Sequence, residues 1–186
     1  QKVYKLPVKL NLTCPNRDGT CAYGGCIFCG EEGGSFENLE QLSVRDQLLA
    51  NMDYIGKRYH ANKFIAYFQN FSNTYMPLDQ FKEIIKACNK DYIVGVSIAT
   101  RSDCITEDKL KFLKKWHDET GKDITIELGL QTANYKTLKL LNRGESLADF
   151  ITACNLINKY GFRISTHVIL ALPWDDINDT IETARI

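Results

Sequence analysis

Two hydrophobic rhythms alternate along the chain. VYKLPVKLNL (3–12), KFIAYFQNF (63–71), YIVGVSIA (92–99), DITIELGLQ (123–131) and FRISTHVIL (162–170) are short runs rich in β-branched and aromatic residues, and they read as strands. Pro7 interrupts the first of them. Between them the apolar positions fall three and four apart, the spacing of one helical face. Val44, Leu48, Met52 and Ile55 predict a helix over 43–59, and Phe81, Ile84, Ile85 and Cys88 predict another. Thr106 stands as the N-cap of a third, which carries Leu110, Leu113 and Trp116. Residues 134–142 and 146–160 continue the pattern, with Asp149 three places after a capping Ser146, and a last helix begins near Asn178.

The result is a βα unit repeated five times, with connections of helix length. That is the pattern of parallel strands joined by right-handed crossovers, which closes into a barrel or winds into an open sheet. The period of two also sorts the faces. On the fourth strand Ile124, Ile126, Leu128 and Leu130 point to the helices, so Thr125, Glu127, Gly129 and Gln131 point the other way, as do Arg163, Ser165 and His167 on the fifth. Polar side chains on the inner face of parallel strands need water, a ligand or each other. In a barrel the functional mouth is at the strand C-termini. The expected fold is therefore α/β, a partial TIM-like barrel forming one domain over 1–186. The last helix running out at Ile186 predicts a further C-terminal part.

Composition narrows the function. The chain has 186 residues, 44% of them hydrophobic, which excludes a disordered segment. No run approaches the roughly 18 apolar residues of a membrane span. The start QKVYKL has no apolar signal region, so a cytoplasmic protein is expected. With 23 basic and 23 acidic residues, binding of nucleic acid by bulk electrostatics is disfavoured.

Seven cysteines are present, four of them in TCPNRDGTCAYGGCIFCG (13–30), directly after the first strand. Clustered thiols in a reducing compartment point to a soft metal. Cys26-x-x-Cys29 is a two-ligand hook, and Gly24 and Gly25 allow a tight turn before it. The loop holds no histidine. Three readings are open: a structural zinc site with four cysteines, an electron-transfer iron–sulfur cluster with four, or a cluster held by three with one iron open. Zinc ribbons generally pair two such hooks, and the single hook favours iron–sulfur. Cys88 and Cys154 lie on apolar helical stripes and are expected in the core; Cys104 follows the third strand.

A three-cysteine loop after the first strand, with Phe28 before its last cysteine, resembles the radical S-adenosylmethionine superfamily. Most members space the cysteines C-x3-C-x2-C. Here eleven residues separate Cys14 from Cys26. The form C-P-N-R-D-G…G-G-C-x-F-C is similar to the branch related to the Elongator catalytic subunit, and within it to a group of small bacterial enzymes. YFQNFSNTY (67–75), SIATRSDC (97–104), ELGLQT (127–132), LLNRG (140–144) and the pair Leu172-Pro173 share that resemblance.

The resemblance implies a (β/α)6-type core in which Cys14, Cys26 and Cys29 ligate a 4Fe–4S cluster, with Cys21 the uncertain member of the loop. The open iron would bind the amino and carboxylate groups of S-adenosylmethionine. One electron from a donor such as flavodoxin or ferredoxin would cleave the sulfonium, giving methionine and a 5′-deoxyadenosyl radical that abstracts a substrate hydrogen. Gln131 maps to a cofactor contact, Arg143 to a partner of the methionine carboxylate in the helix after the fourth strand, and His167 to a ribose contact. The chain departs from the family at the end of the second strand, where Phe68-Gln69-Asn70 replaces a glycine-rich segment and leaves the Gln69 backbone to receive the amino group. It departs again at Ala99, where some members carry an acid, so Ser97 and Glu127 become candidate cofactor contacts beside His167. Tyr67, Asn73, Tyr75 and Arg101, near strand C-termini, are candidate substrate contacts, with Asp103 beside them. Members of the branch are associated with tRNA wobble-base chemistry, and a related group contains a queuine-cleaving salvage lyase. Charge balance favours the small substrate over tRNA, because phosphate neutralisation supplies much of the affinity of a tRNA enzyme.

Overall fold

In the computed structural model, which describes residues 2–31, 33 and 41–186, the five apolar runs form one all-parallel sheet. Its strands are β1 (Tyr4–Val8), β2 (Phe64–Phe68), β3 (Ile93–Thr100), β4 (Asp123–Gln131) and β5 (Arg163–Val168), paired in sequence order. The helices between and after them are α1 (Val44–Tyr59), α2 (Leu78–Ala87), α3 (Glu107–Thr120), α4 (Tyr135–Leu140), α5 (Leu147–Lys159) and α6 (Ile177–Arg185). The sheet is open, a partial barrel with five parallel strands. Among the described residues no helix is long and apolar enough to cross a membrane.

One face of each central strand builds the core. Leu6 and Val8, Phe64, Ala66 and Phe68, Val96 and Ile98, and Ile124, Ile126, Leu128 and Leu130 are buried together with Leu48, Phe81, Ile85, Leu110, Leu113, Trp116 and Phe150 from the helices. Full burial of side chains of this size contributes roughly 1.5–3 kcal/mol each. The opposite face carries Lys5, Tyr67, Ser97, Glu127 and His167, aligned by register: Tyr67 opposite Ser97, Glu127 opposite Ser165 and Gly129 opposite His167.

Three strands, β1, β2 and β5, are shorter than their apolar runs. Past Val8 the backbone of Lys9 is bonded by the Gln47 amide (2.9 Å in both directions), and that of Leu10 by the Asn70 amide (3.1 and 2.6 Å). Side-chain amides replace the β1–β2 ladder, and Phe71 then takes a left-handed conformation (φ 52°) that turns the chain away. Pro7 is tolerated because β1 lies at the edge of the sheet and needs no donor there. Residues 162–170 likewise yield a strand only to Val168, with the register broken opposite Gly129 and Gln131.

The caps follow expectation with two changes. Ser146 and Asp149 form the full capping box on α5, and Asp176 with Asp179 forms a second on α6. Thr106 occupies the N-cap of α3, but its hydroxyl donates to Asp108 and makes no capping bond to the backbone. The segment 134–142 is helical only to Leu140; Asn142 (φ 54°) and Gly144 (φ 67°) bend it into a turn. Arg143 therefore sits in that turn and not in a helix.

Candidate active site

The cysteine loop is held by its own polar residues. Arg17 N and Asp18 N donate to Cys14 O at 2.8 and 3.2 Å, tightening the C-P-N-R-D turn. Asn16 is wholly buried. Its carbonyl accepts from Gly25 N (2.8 Å), and its Nδ2 donates to Asn142 O (2.5 Å) and toward Cys26 Sγ (3.4 Å). Gly24 and Gly25 (φ 78° and 80°) make the left-handed turn that delivers Cys26, and Cys29 N donates to Cys26 O (2.9 Å) to close the hook. Arg17 spans the hook from outside, donating to Cys29 O (3.2 Å) and Gly30 O (2.5 Å), 3.7 Å from Cys29 Sγ.

The loop roofs a cavity of about 400 Å³ at the C-terminal ends of the strands. Cys14, Cys26 and Cys29 all line it, with Tyr67, Gln69, Arg101, Glu127, Gln131, Arg143 and His167. Each of the three sulfurs faces a donor: Ser72 Oγ lies 3.4 Å from Cys14, Asn16 Nδ2 and Arg143 Nη1 lie 3.4 and 3.6 Å from Cys26, and Arg17 Nη2 faces Cys29. Cys21 is exposed outside the cavity, 3.5 Å from Asp103 Oδ2. Burial and the neighbouring Asp103 carboxylate push its thiol up.

Gln131 and Arg143 share a corner. Gln131 ends β4 in a left-handed conformation (φ 69°), which costs an ordinary residue about 1–3 kcal/mol and is held here by the Ile169 N–H on its carbonyl. Arg143 is buried, donates Nη2 to Gly129 O (2.8 Å), and pairs with the buried Glu145. Its Nε has no partner among the described residues. Gly129 leaves room in this corner for those two side chains: a Cβ there would fall on Gln131 Nε2 and lie 3.0 Å from Arg143 Nη2, so both ends would have to shift.

The inner face of the sheet carries one polar network. Glu127 is buried; it receives Lys5 Nζ at 2.5 Å, His167 Nε2 at 2.8 Å and the Ser97 hydroxyl. Lys5 also lies over the Tyr67 ring, 3.9 Å from its centroid. Burial opposes the charge on Glu127, but Lys5, Ser97 and His167 outweigh it and hold the carboxyl below the usual range. Burial and the Glu127 carboxylate push the Tyr67 phenol up to about 12.

Several expected contacts lie elsewhere. Ser97 faces Glu127 and is not part of the cavity wall. Asn73 also lies off the wall; its Nδ2 donates to the carbonyls of Asn70 and Ala99 (2.9 and 2.8 Å), pinning the loop after β2. Tyr75 bonds Thr20 Oγ1 at 2.8 Å, on the outer side of the cysteine loop. Arg101 reaches the wall with its guanidinium committed to Asp103 (2.9 and 2.6 Å) and to Arg143 O (2.7 Å), so it braces Arg143. Cys88 is in the core, where burial pushes its thiol up to about 12, and Cys154 packs partly buried against that core. Cys104 is buried beside Asp103. Lys5, Asn16, Arg17, Ser72 and Glu145 were not singled out as site residues. C-P-N-R-D-G held the signal for two of them, since a polar pair inside a tight turn has backbone groups to satisfy.

The donor set suits a cluster with soft-metal ligation: three thiols open to one cavity, each beside a hydrogen-bond donor, with an unpartnered buried Arg143 Nε among the wall groups. Among the described residues no three His, Cys, Asp or Glu side chains converge on a single-ion site.

The sequence model of the Radical SAM superfamily matches residues 17–185, and the chain belongs to that superfamily, whose members use a 4Fe–4S cluster and S-adenosylmethionine. The match begins just after Cys14. The chain is 37% identical over 190 residues to the protein YtqA of Bacillus subtilis (strain 168), covering 99% of this chain and 57% of that one. To the protein YhcC of Escherichia coli (strain K12) it is 33% identical over 184 residues, covering 98% and 58%. It thus spans a little over half the length of these relatives. The fold matches the structure of the archaeal Methanocaldococcus infernus Elp3 with an N-terminal deletion, with a TM-score of 0.68 and 20% identity, over 98% of this chain and 41% of that one.

Proposed function

We propose that this radical SAM domain holds its cluster on Cys14, Cys26 and Cys29, and that the protein acts on a small modified nucleobase, most sharply as a queuine lyase in 7-deazaguanine salvage. The observation that carries the ligand set is the shared cavity: three of the four loop cysteines line it and Cys21 does not. The cluster supplies one-electron cleavage of S-adenosylmethionine. The chain's own residues bind and orient. Arg143 and Gln131 form the corner for the cofactor's methionine end, with the Gln69 backbone opposite; His167, fixed by Glu127, offers its remaining ring nitrogen to the ribose. Tyr67 closes the floor toward the substrate.

The charge balance supports a small substrate. The three C-terminal lysines of α3 pair in helical register, Lys111 with Glu107, Lys114 with Asp118 and Lys115 with Glu119, so that run is a neutralised helix face and not a phosphate-binding stripe. The test is to incubate the reduced, reconstituted protein with free queuine and, separately, with tRNA. Turnover of the free base is expected. Turnover of tRNA alone would replace this reading with that of a radical SAM wobble-uridine enzyme.

A further inference from the structure

Cys14 and Cys21 belong to one folded loop, yet their sulfurs are used differently. Cys21 N donates to Pro15 O (2.8 Å), which folds Cys21 back onto the residue beside Cys14. The turn carrying Arg143 passes close to it, since a Cβ on Gly144 would lie 3.5 Å from Cys21 Cβ. Cys14 lines the cavity, with Ser72 Oγ 3.4 Å from its sulfur, whereas Cys21 is exposed and is not part of the wall. The Cys21 sulfur lies 3.5 Å from Asp103 Oδ2. A carboxylate only accepts, so the thiol is the donor in that contact.

Asp103 is held where it meets that sulfur. It lies in the short turn Ser102–Cys104 after β3, closed by Cys104 N on Arg101 O and Ile105 N on Ser102 O, both at 3.2 Å. Arg101 grips the carboxylate from two nitrogens, Nε at 2.9 Å and Nη2 at 2.6 Å, and Ser102 N donates to Glu145 (3.1 Å). The other carboxylate oxygen receives the Cys104 thiol at 3.4 Å. One carboxylate thus collects two sulfurs, neither of them on the cavity wall. Burial opposes the charge on Asp103, but Arg101 outweighs it and holds the carboxyl below the usual range. A charged carboxylate opposes the second negative charge that a Cys21 thiolate would bring, and the thiolate is the form that binds a metal.

We propose that Asp103 selects the cluster's ligands: by engaging the Cys21 S–H it turns that sulfur away from the cavity and leaves Cys14 as the third thiol beside Cys26 and Cys29. The inference rests on the ligand set proposed above and adds a positioning residue to it. Asp103 is not on the cavity wall, so it acts through Cys21. Without that bond the loop would offer four thiols to a cluster that takes three.

The test reconstitutes the full protein anaerobically with ferrous iron and sulfide and reads its iron content. Cys14→Ser alone is expected to lose most of the iron. Cys14→Ser with Asp103→Asn is expected to recover about half of it or more through Cys21, and adding Cys21→Ser should remove it again. Asparagine keeps the size of the side chain and an acceptor for Arg101 while removing the charge. A second readout needs no metal: iodoacetamide labelling of the iron-free protein, followed by peptide mass spectrometry. In Asp103→Asn, Cys21 is expected to react about fivefold faster or more, with Cys88 and Cys154 unchanged. No recovery of iron, recovery that survives Cys21→Ser, or an unchanged Cys21 rate would each overturn the selecting role. A matching rise at Cys88 and Cys154 would also overturn it, by showing a general loosening in place of a local release. Full iron content in Cys14→Ser would instead overturn the ligand set on which the inference stands.

Discussion

Lys5 on the first strand places its ammonium 2.5 Å from a carboxylate oxygen of Glu127 on the fourth. Adjacent strands lie about 4.8 Å apart, so on a flat sheet β1 and β4 would be separated by about 14 Å, beyond the combined reach of the two side chains. The contact therefore reports how strongly the sheet curls. It also fixes a buried charge at the floor of the cavity, from which His167 is oriented.

Because a carboxylate only accepts, the His167 Nε2 facing Glu127 carries a proton, and in that Nε2–H tautomer Nδ1 is the ring's acceptor. Glu127→Gln should relax that tautomer, visible in the 15N shifts of the ring, and weaken S-adenosylmethionine binding several-fold. The stability linkage has a definite sign. The carboxyl lies below its ordinary value of 4.5 in the folded state, so its contribution is present above that pH and lost as pH falls through the folded value. Urea unfolding followed from about pH 7 to about pH 3 should show an acid limb that is reduced in the Gln variant.

Arg143→Met leaves Glu145 buried without its nearest cation. That should cost about 3 kcal/mol, read by denaturant unfolding. Arg143→Met combined with Glu145→Gln should recover most of the stability and none of the S-adenosylmethionine affinity. Recovery of both would assign Arg143 a purely structural role.

Gly129→Ala separates the site from the fold. The new methyl meets side-chain ends of Gln131 and Arg143 and no backbone, so thermal stability should change by about 1 kcal/mol while cofactor affinity falls by about tenfold or more. Calorimetric titration with S-adenosylmethionine checks the second part.

Among the cysteines, Cys14→Ser, Cys26→Ser and Cys29→Ser should each abolish or sharply reduce iron incorporation on anaerobic reconstitution. Cys21→Ser should retain it, since Cys21 stands outside the cavity against Asp103. Iron and sulfide analysis of the four variants decides this.

The fold was legible because both hydrophobic periods are strong. The alternation in DITIELGLQ placed β4 at Asp123–Gln131 and sorted its faces, and Ser146 with Asp149 marked the start of α5. Strand ends were less legible where an amide replaced the ladder: nothing local to Leu10 announces that Asn70, 60 residues on, will bond it. In the site, the short hook and the aromatic beside it carried the cysteines. The residues that hold them were hidden for a different reason. Lys5 and Glu127 are 122 positions apart, and their pairing depends on the curl of the sheet. Asn73 and Tyr75 sit near strand ends, where pocket residues are common, but their side chains satisfy loop groups instead. Arg101 reached the wall as expected, yet Asp103 two residues on takes up its guanidinium.

The central claim is that three thiols hold a cluster open to S-adenosylmethionine. Its most direct test is the EPR spectrum of the anaerobically reconstituted, dithionite-reduced protein before and after that cofactor is added. A reduced 4Fe–4S signal that changes on addition of S-adenosylmethionine is the predicted result. Zinc in place of iron, or a cluster signal left unchanged by the cofactor, would contradict it.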